Sequence, residues 1–193
     1  AGGNLVKQIT KGNFEVKDFL GWDQANNTFY FTSNEGSPLR TAVYKIDAKG
    51  KKTKLSTQEG SNSAIFSKNM KYFVNTYSNA NIPPVITLND NKGKVLTTLV
   101  DNQKLKQQMS GLNMPSKEFF TFKTTDGVEL NGWIMKPAHF DTNKKYPVIL
   151  HQYSGPGSQQ VLDRWGIGAM GNGGLFEAYM ADKGFIMVCV DGR

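Results

Sequence analysis

One cysteine, Cys189, and two histidines, His139 and His151, are all that 193 residues offer of thiol and imidazole chemistry. A lone cysteine excludes an intrachain disulfide. Two histidines far apart, with no H-E-x-x-H, give no metal cluster, so the sequence points to no metal and no cofactor. No apolar run approaches the roughly 18 residues that cross a bilayer. The opening "AGGNLVKQ" lacks the charged and apolar regions of a secretory signal peptide. No G-x-S-x-G, the elbow that carries a hydrolase serine, occurs anywhere.

What is present suits a soluble globular protein: 38% hydrophobic and 20% charged residues, with a mean hydropathy of −0.45. The net charge of +7 is uneven, with 13 Lys/Arg against 7 Asp/Glu in the first hundred residues and 10 against 9 in the rest. The lysines are scattered through turn-like stretches such as "DAKGKKTK", without interleaved aromatics or arginine clusters. That is a solvated loop surface, and no nucleic-acid partner is expected. Cys189, inside "GFIMVCVD", is expected as a small apolar residue on a buried strand.

The first hundred residues spell short strands and turns. "NFEVKDFLGW", "NTFYFTS" and "TAVYKIDAKGKKTKLS" are followed in the same order by "SNSAIFSKN", "MKYFVNTYSN" and "PPVITLNDNKGKVLTTLV". The turn "ID-AKG-K" returns as "ND-NKG-K". A period of roughly 45 residues with about four strands per unit is the mark of a β-propeller blade. "AGGNLVKQITKG" reads as the closing strand of an earlier unit. Residues 101–113 switch to helical spacing, with Asp101 as the expected N-cap and Gly111 as the stop.

From Met114 the pattern changes. "KEFFTFKTTDGVELNGWIMKP" is a hairpin about Asp126-Gly127. "YPVILHQY" suits a central strand. "GLFEAYMADKG" is a helix whose expected stripe is Leu175, Ala178, Tyr179 and Asp182, and "FIMVCVDGR" is a further buried strand. Strand, helix, strand implies a parallel pair with its crossover.

The loop "HQYSGPGSQQ", residues 151–160, raises three readings. Neither Ser154 nor Ser158 has a glycine two residues away on both sides, so neither fits a nucleophile elbow. Neither phosphate-binding glycine pattern appears in this loop. From the residues alone, Tyr153 is a packed tyrosine beside a tight turn.

"EFFTFKTTDGVELNGWIMKP", "YPVILHQYSGPGSQ" and "GFIMVCVDGR" resemble, in order and spacing, the dipeptidyl-peptidase IV branch of the prolyl oligopeptidase superfamily of serine peptidases. The resemblance implies a mixed fold. Residues 1–113 would be the last blades of a β-propeller plus a connector helix, and residues 114–193 the N-terminal part of an α/β-hydrolase domain, truncated before the catalytic serine. It implies a parent that releases N-terminal Xaa-Pro or Xaa-Ala dipeptides from peptide substrates through an acyl-enzyme. It also implies that Tyr153 stabilises the oxyanion. In that family Asp191 belongs to a strand-end "DGR" that shapes a loop, and His139 and His151 are expected to be structural. The glutamate pair with which the family binds a free amino terminus is absent, since no Glu-Glu occurs here. Because it carries no nucleophile elbow, the chain alone is expected to be inactive. A homodimer through open edges of the hydrolase part is expected, and a periplasmic or cell-surface location for a bacterial parent. Two other readings stay open: an acylaminoacyl-peptidase or oligopeptidase relative, and a catalytically dead propeller-hydrolase protein that only binds.

Overall fold

The computed structural model describes residues 2–5, 7–112, 114–153, 155, 157–168 and 174–192. They fall into two compact units. One comprises residues 1–77 and 86–100, the other residues 78–85 and 101–193. The helix of residues 103–110 thus groups with the second unit.

In the first unit, β1 (Val16–Asp23), β2 (Thr28–Ser33), β3 (Ala42–Ile46) and β4 (Lys52–Lys54) form a sheet in chain order, each pair antiparallel. β5 (Ser61–Phe66), β6 (Tyr72–Asn79), β7 (Ile82–Asp90) and β8 (Val95–Val100) form a second sheet, again in chain order. Alternation decides which side chains meet. Tyr30, Val43 and Leu55 pack with Ala64 and Phe73, and Phe66 stacks on Phe73 and meets Tyr30 at a tilt. The opposite face of β2 and β3 carries Phe31, Ala42, Tyr44 and Ile46. Strands buried on both faces need apolar residues at consecutive positions, and "FYF" supplies them.

The sequence echo is an echo of geometry. Asp47 Oδ1 accepts the N–H groups of Lys49 and Lys51 at 2.9 Å each, and Asp90 Oδ1 accepts those of Lys92 and Lys94 at the same distances. Gly50 and Gly93 close the two turns with N–H bonds of 3.0 Å to the carbonyls of Asp47 and Asp90, at φ +84° and +91°. These N–H donors, Lys94 foremost, hold the Asp90 carboxyl below its ordinary range. The opening segment departs from expectation. Among its described residues no strand forms before β1, because a closing strand needs a ladder partner and none is paired with it.

The second unit holds α1 (Gln103–Ser110), β9 (Lys117–Lys123), β10 (Glu129–Met135), β11 (Val148–Gln152), α2 (Leu175–Asp182) and β12 (Ile186–Val190). The N-cap of α1 is Asn102, in left-handed conformation, and not Asp101. Asp101 instead accepts the Gln103 N–H at 3.0 Å, while the Asn102 amide donates to the Pro84 carbonyl at 2.6 Å. The third sheet runs β11-β12-β10-β9, with β11 parallel to β12 and the other pairs antiparallel. β12, not β11, is central. β11 lies at an edge, and its Val148 and Leu150 are exposed. The helix α2 crosses between them and packs on β12 and β10. Its buried residues are Glu177, Ala178 and Ala181, whereas Leu175 and Tyr179 are exposed, which corrects the expected stripe. Among the described residues no hydrolase domain is present: four strands and one crossover helix fall short of a sheet covered on both faces, and a β-rich arrangement of three sheets is what stands.

Gly50 and Gly93 separate two kinds of glycine requirement. A Cβ on Gly50 would meet nothing within 4 Å, whereas on Gly93 it would lie 2.6 Å from the Leu55 carbonyl oxygen. Gly50→Ala should cost about 1–2 kcal/mol, from left-handed backbone alone. Gly93→Ala should cost about 1–3 kcal/mol more, from the added clash. Urea midpoints of the two variants test the order, and equal midpoints would refute it.

Candidate active site

Tyr153 is the first residue beyond the carboxyl end of β11, and Asp191 the first beyond β12. The two strands pair in parallel, with Gln152 opposite Val190, so both residues sit at the same end of the sheet. Tyr153 is 57% exposed. Behind it the chain turns: the Ser158 N–H donates to the Gly155 carbonyl at 3.0 Å, and Gly157 stands at φ +72°, where only glycine is unstrained.

The segment after the turn is held by side chains. Asp191 Oδ1 accepts the N–H groups of Gln160 at 2.7 Å and of Val161 at 3.0 Å. Asp191 is itself fixed by its own N–H to the Asn131 carbonyl at 3.0 Å. An oxygen engaged by two backbone donors serves the loop, in keeping with the strand-end role the resemblance implies for it. Further on, the Asp163 carboxylate accepts the Ala80 N–H at 2.9 Å, and Ser78 Oγ accepts the Trp165 N–H at 3.3 Å. Asn81 completes the strap with two bonds to the backbone of Lys117, of 2.8 and 3.1 Å.

Ser158 Oγ accepts from the Gln160 amide at 2.9 Å. Ser154 lies outside the described residues. His139 is exposed in the loop after β10, and His151 is half-buried on β11 opposite Cys189. Among the described residues neither histidine is bonded to a serine. Cys189 is 1% exposed, and burial, with Asp191 adding to it, pushes its thiol up to about 11. A thiol so protonated is inert at neutral pH.

Lys117 is a buried charge that alternation on β9 does not reveal. Its ammonium donates to the Ile167 carbonyl and lies 4.4 Å from the Trp133 ring centroid. Burial lowers its pKa from the usual lysine value, against the opposing pull of the fully buried Glu177. It lines a cavity of about 410 Å³ with Asn81, Met109, Met114, Met135 and Trp165. Tyr153 is not part of that lining.

The comparisons with known proteins agree on one class. Residues 1–84 match the family described as "Dipeptidyl peptidase IV (DPP IV) N-terminal region". Over 192 residues the chain is 36% identical to a protein described as "Probable dipeptidyl-aminopeptidase B" from Podospora anserina, covering 96% of this chain and 20% of the relative. A protein of the same description from Chaetomium globosum matches with the same identity and coverage. The crystal structure of Porphyromonas gingivalis dipeptidyl peptidase 4 matches with a TM-score of 0.90 at 47% identity, over 99% of this chain and 26% of that one. The three β-rich sheets are consistent with the propeller part of such a protein. The chain is similar to the dipeptidyl peptidase IV family and spans about a fifth of the length of the curated relatives it matches.

Asp191 gives a test of the loop's support. Asp191→Ala would leave the N–H groups of Gln160 and the fully buried Val161 without an acceptor, at about 1–3 kcal/mol for each unsatisfied group. Asp191→Asn keeps an acceptor oxygen and should lose less. Hydrogen exchange at the amides of Gln160 and Val161 should accelerate in the alanine variant first. Unchanged protection in Asp191→Ala would show that the carboxylate does not hold the loop.

Proposed function

We propose that this chain is part of a serine exopeptidase and that Tyr153 donates its phenolic hydrogen to the oxyanion formed during acyl transfer. One observation carries the reading: Tyr153 is an exposed phenol at the carboxyl end of a parallel strand pair. Ligands of open α/β sheets bind in the crevice outside the carboxyl ends of their strands. A tyrosine kept only for packing would be buried there.

In this reading the first two sheets are the last blades of a propeller, and the α/β-hydrolase domain that carries the catalytic serine lies elsewhere in a longer protein. That protein releases N-terminal Xaa-Pro or Xaa-Ala dipeptides. Its serine attacks the carbonyl carbon while a histidine takes the hydroxyl proton, and a carboxylate orients the histidine. The carbonyl oxygen gains the charge, and the Tyr153 phenol and a backbone N–H stabilise it. Collapse expels the amine, which receives the proton from the histidine, and water then hydrolyses the acyl-enzyme. The names of the matched relatives favour this substrate class over an acylaminoacyl-peptidase.

The isolated chain should not cleave a chromogenic Xaa-Pro substrate, because it carries no nucleophile elbow. Cleavage abolished by a serine-directed covalent inhibitor would contradict this. In the full-length protein, Tyr153→Phe should lower turnover by roughly 100-fold or more, about 2.7–4 kcal/mol of transition-state stabilisation. KM should move much less, since the bond tightens as the oxygen becomes charged. A folded variant with its full turnover number would reduce Tyr153 to a packing residue.

A further inference from the structure

The two glycines of the Tyr153 turn are glycines for different reasons. Gly157 has a left-handed φ of +72°, and a Cβ placed on it would meet nothing within 4 Å. Gly155 is the reverse case. Its φ lies outside the left-handed region, so its backbone accepts any residue. A Cβ added to it would lie 2.7 Å from Tyr153 Oη, 2.8 Å from Cε1 and 2.8 Å from Cζ. Non-bonded carbons rest about 3.5–4.0 Å apart, so one or the other would have to move. The three nearest obstacles all belong to the phenol end of Tyr153.

We infer that Gly155 is a positioning residue: its bare α-carbon is the seat on which the Tyr153 phenol rests, and it fixes where the hydroxyl is presented. The inference rests on the reading of Tyr153 as oxyanion donor. The chain from Gln152 leaves the strand, and the side chain of Tyr153 folds back over the residue two positions on. The hydroxyl is thereby held against the turn that the Ser158 N–H closes. A methyl group at 155 displaces the ring and leaves the backbone as it was. Because Tyr153 is largely exposed, the displaced ring has room to swing outward, so the fold survives while the donor moves. A misplacement of about 1 Å of a group that must meet the reacting atoms is enough to lose about 100-fold in rate.

The test is steady-state kinetics on the full-length protein with a chromogenic Xaa-Pro substrate, for wild type, Gly155→Ala, Tyr153→Phe and the double variant. Gly155→Ala should keep its melting temperature and KM while kcat falls by roughly 100-fold, the loss typical of one oxyanion donor. In the Tyr153→Phe background, Gly155→Ala should cost nothing further, because a displaced ring without a hydroxyl has nothing left to lose. Full turnover in Tyr153→Phe would overturn the donor reading and this inference with it. A Tyr153→Phe loss with full turnover in Gly155→Ala, or losses that multiply in the double variant, would overturn the inference alone. If Gly155→Ala does not fold, Tyr153→Ala is compared with Tyr153→Ala/Gly155→Ala. Equal melting temperatures support the seat, since the ring is then the only obstacle, and a lower one in the double variant overturns it.

Discussion

Backbone that leaves regular structure must still find partners for its N–H and C=O groups, and in the second unit short polar side chains supply them. Asp191, Asp163, Asn81, Asn102 and Ser78 each bond to a backbone group far away in sequence. Among its described residues, the loop that follows Tyr153 forms no strand of its own. These side chains substitute for the missing ladder. Tyr153 can be exposed and still be ordered because the backbone on its far side is tied down at Gln160, Val161, Ala80 and Trp165.

Local features were legible in the sequence because their causes are local. The Asp-x-Lys-Gly-Lys turns follow from an aspartate oxygen that reaches two N–H groups on its own turn and from a glycine that takes a positive φ. The alternating strands of the first unit follow from the same short-range logic. The helix stripe was not legible. Leu175 and Tyr179 carry the apolar signal, yet both are exposed and the buried residues of the helix are Glu177, Ala178 and Ala181. The edge position of β11 was hidden for a related reason: a continuous apolar run does not say how many neighbours a strand has. Lys117 was hidden too, since its burial comes from Trp133, Ile167 and Glu177, which lie well along the chain.

Of the candidate site, Tyr153 and the glycine turn were visible as residues, and their family role came only from resemblance. Neither spacing nor composition could reveal that Gly155 lies beneath the phenol, because that contact depends on how the ring folds back once the strand has ended. Asp191 was visible as a carboxylate at a strand end. Its engagement with Gln160 and Val161 needed the parallel register of β11 and β12, which places the two strand ends side by side.

The strand order β11-β12-β10-β9 also has a consequence for the order of events at the ribosome. The β9–β10 hairpin can close as soon as it emerges, since its partners are consecutive in the chain. β11 emerges next and finds no partner, because its only paired neighbour in the described sheet is β12, which is synthesised after it. Until β12 slides between β10 and β11, Val148 and Leu150 belong to a strand with no ladder. Asp191, the anchor of the following loop, emerges later still. The peptide turn that carries Tyr153 is thus set only after β12 has paired, and the nascent chain passes through a stage in which an apolar strand waits unpaired, the kind of interval in which chaperones act.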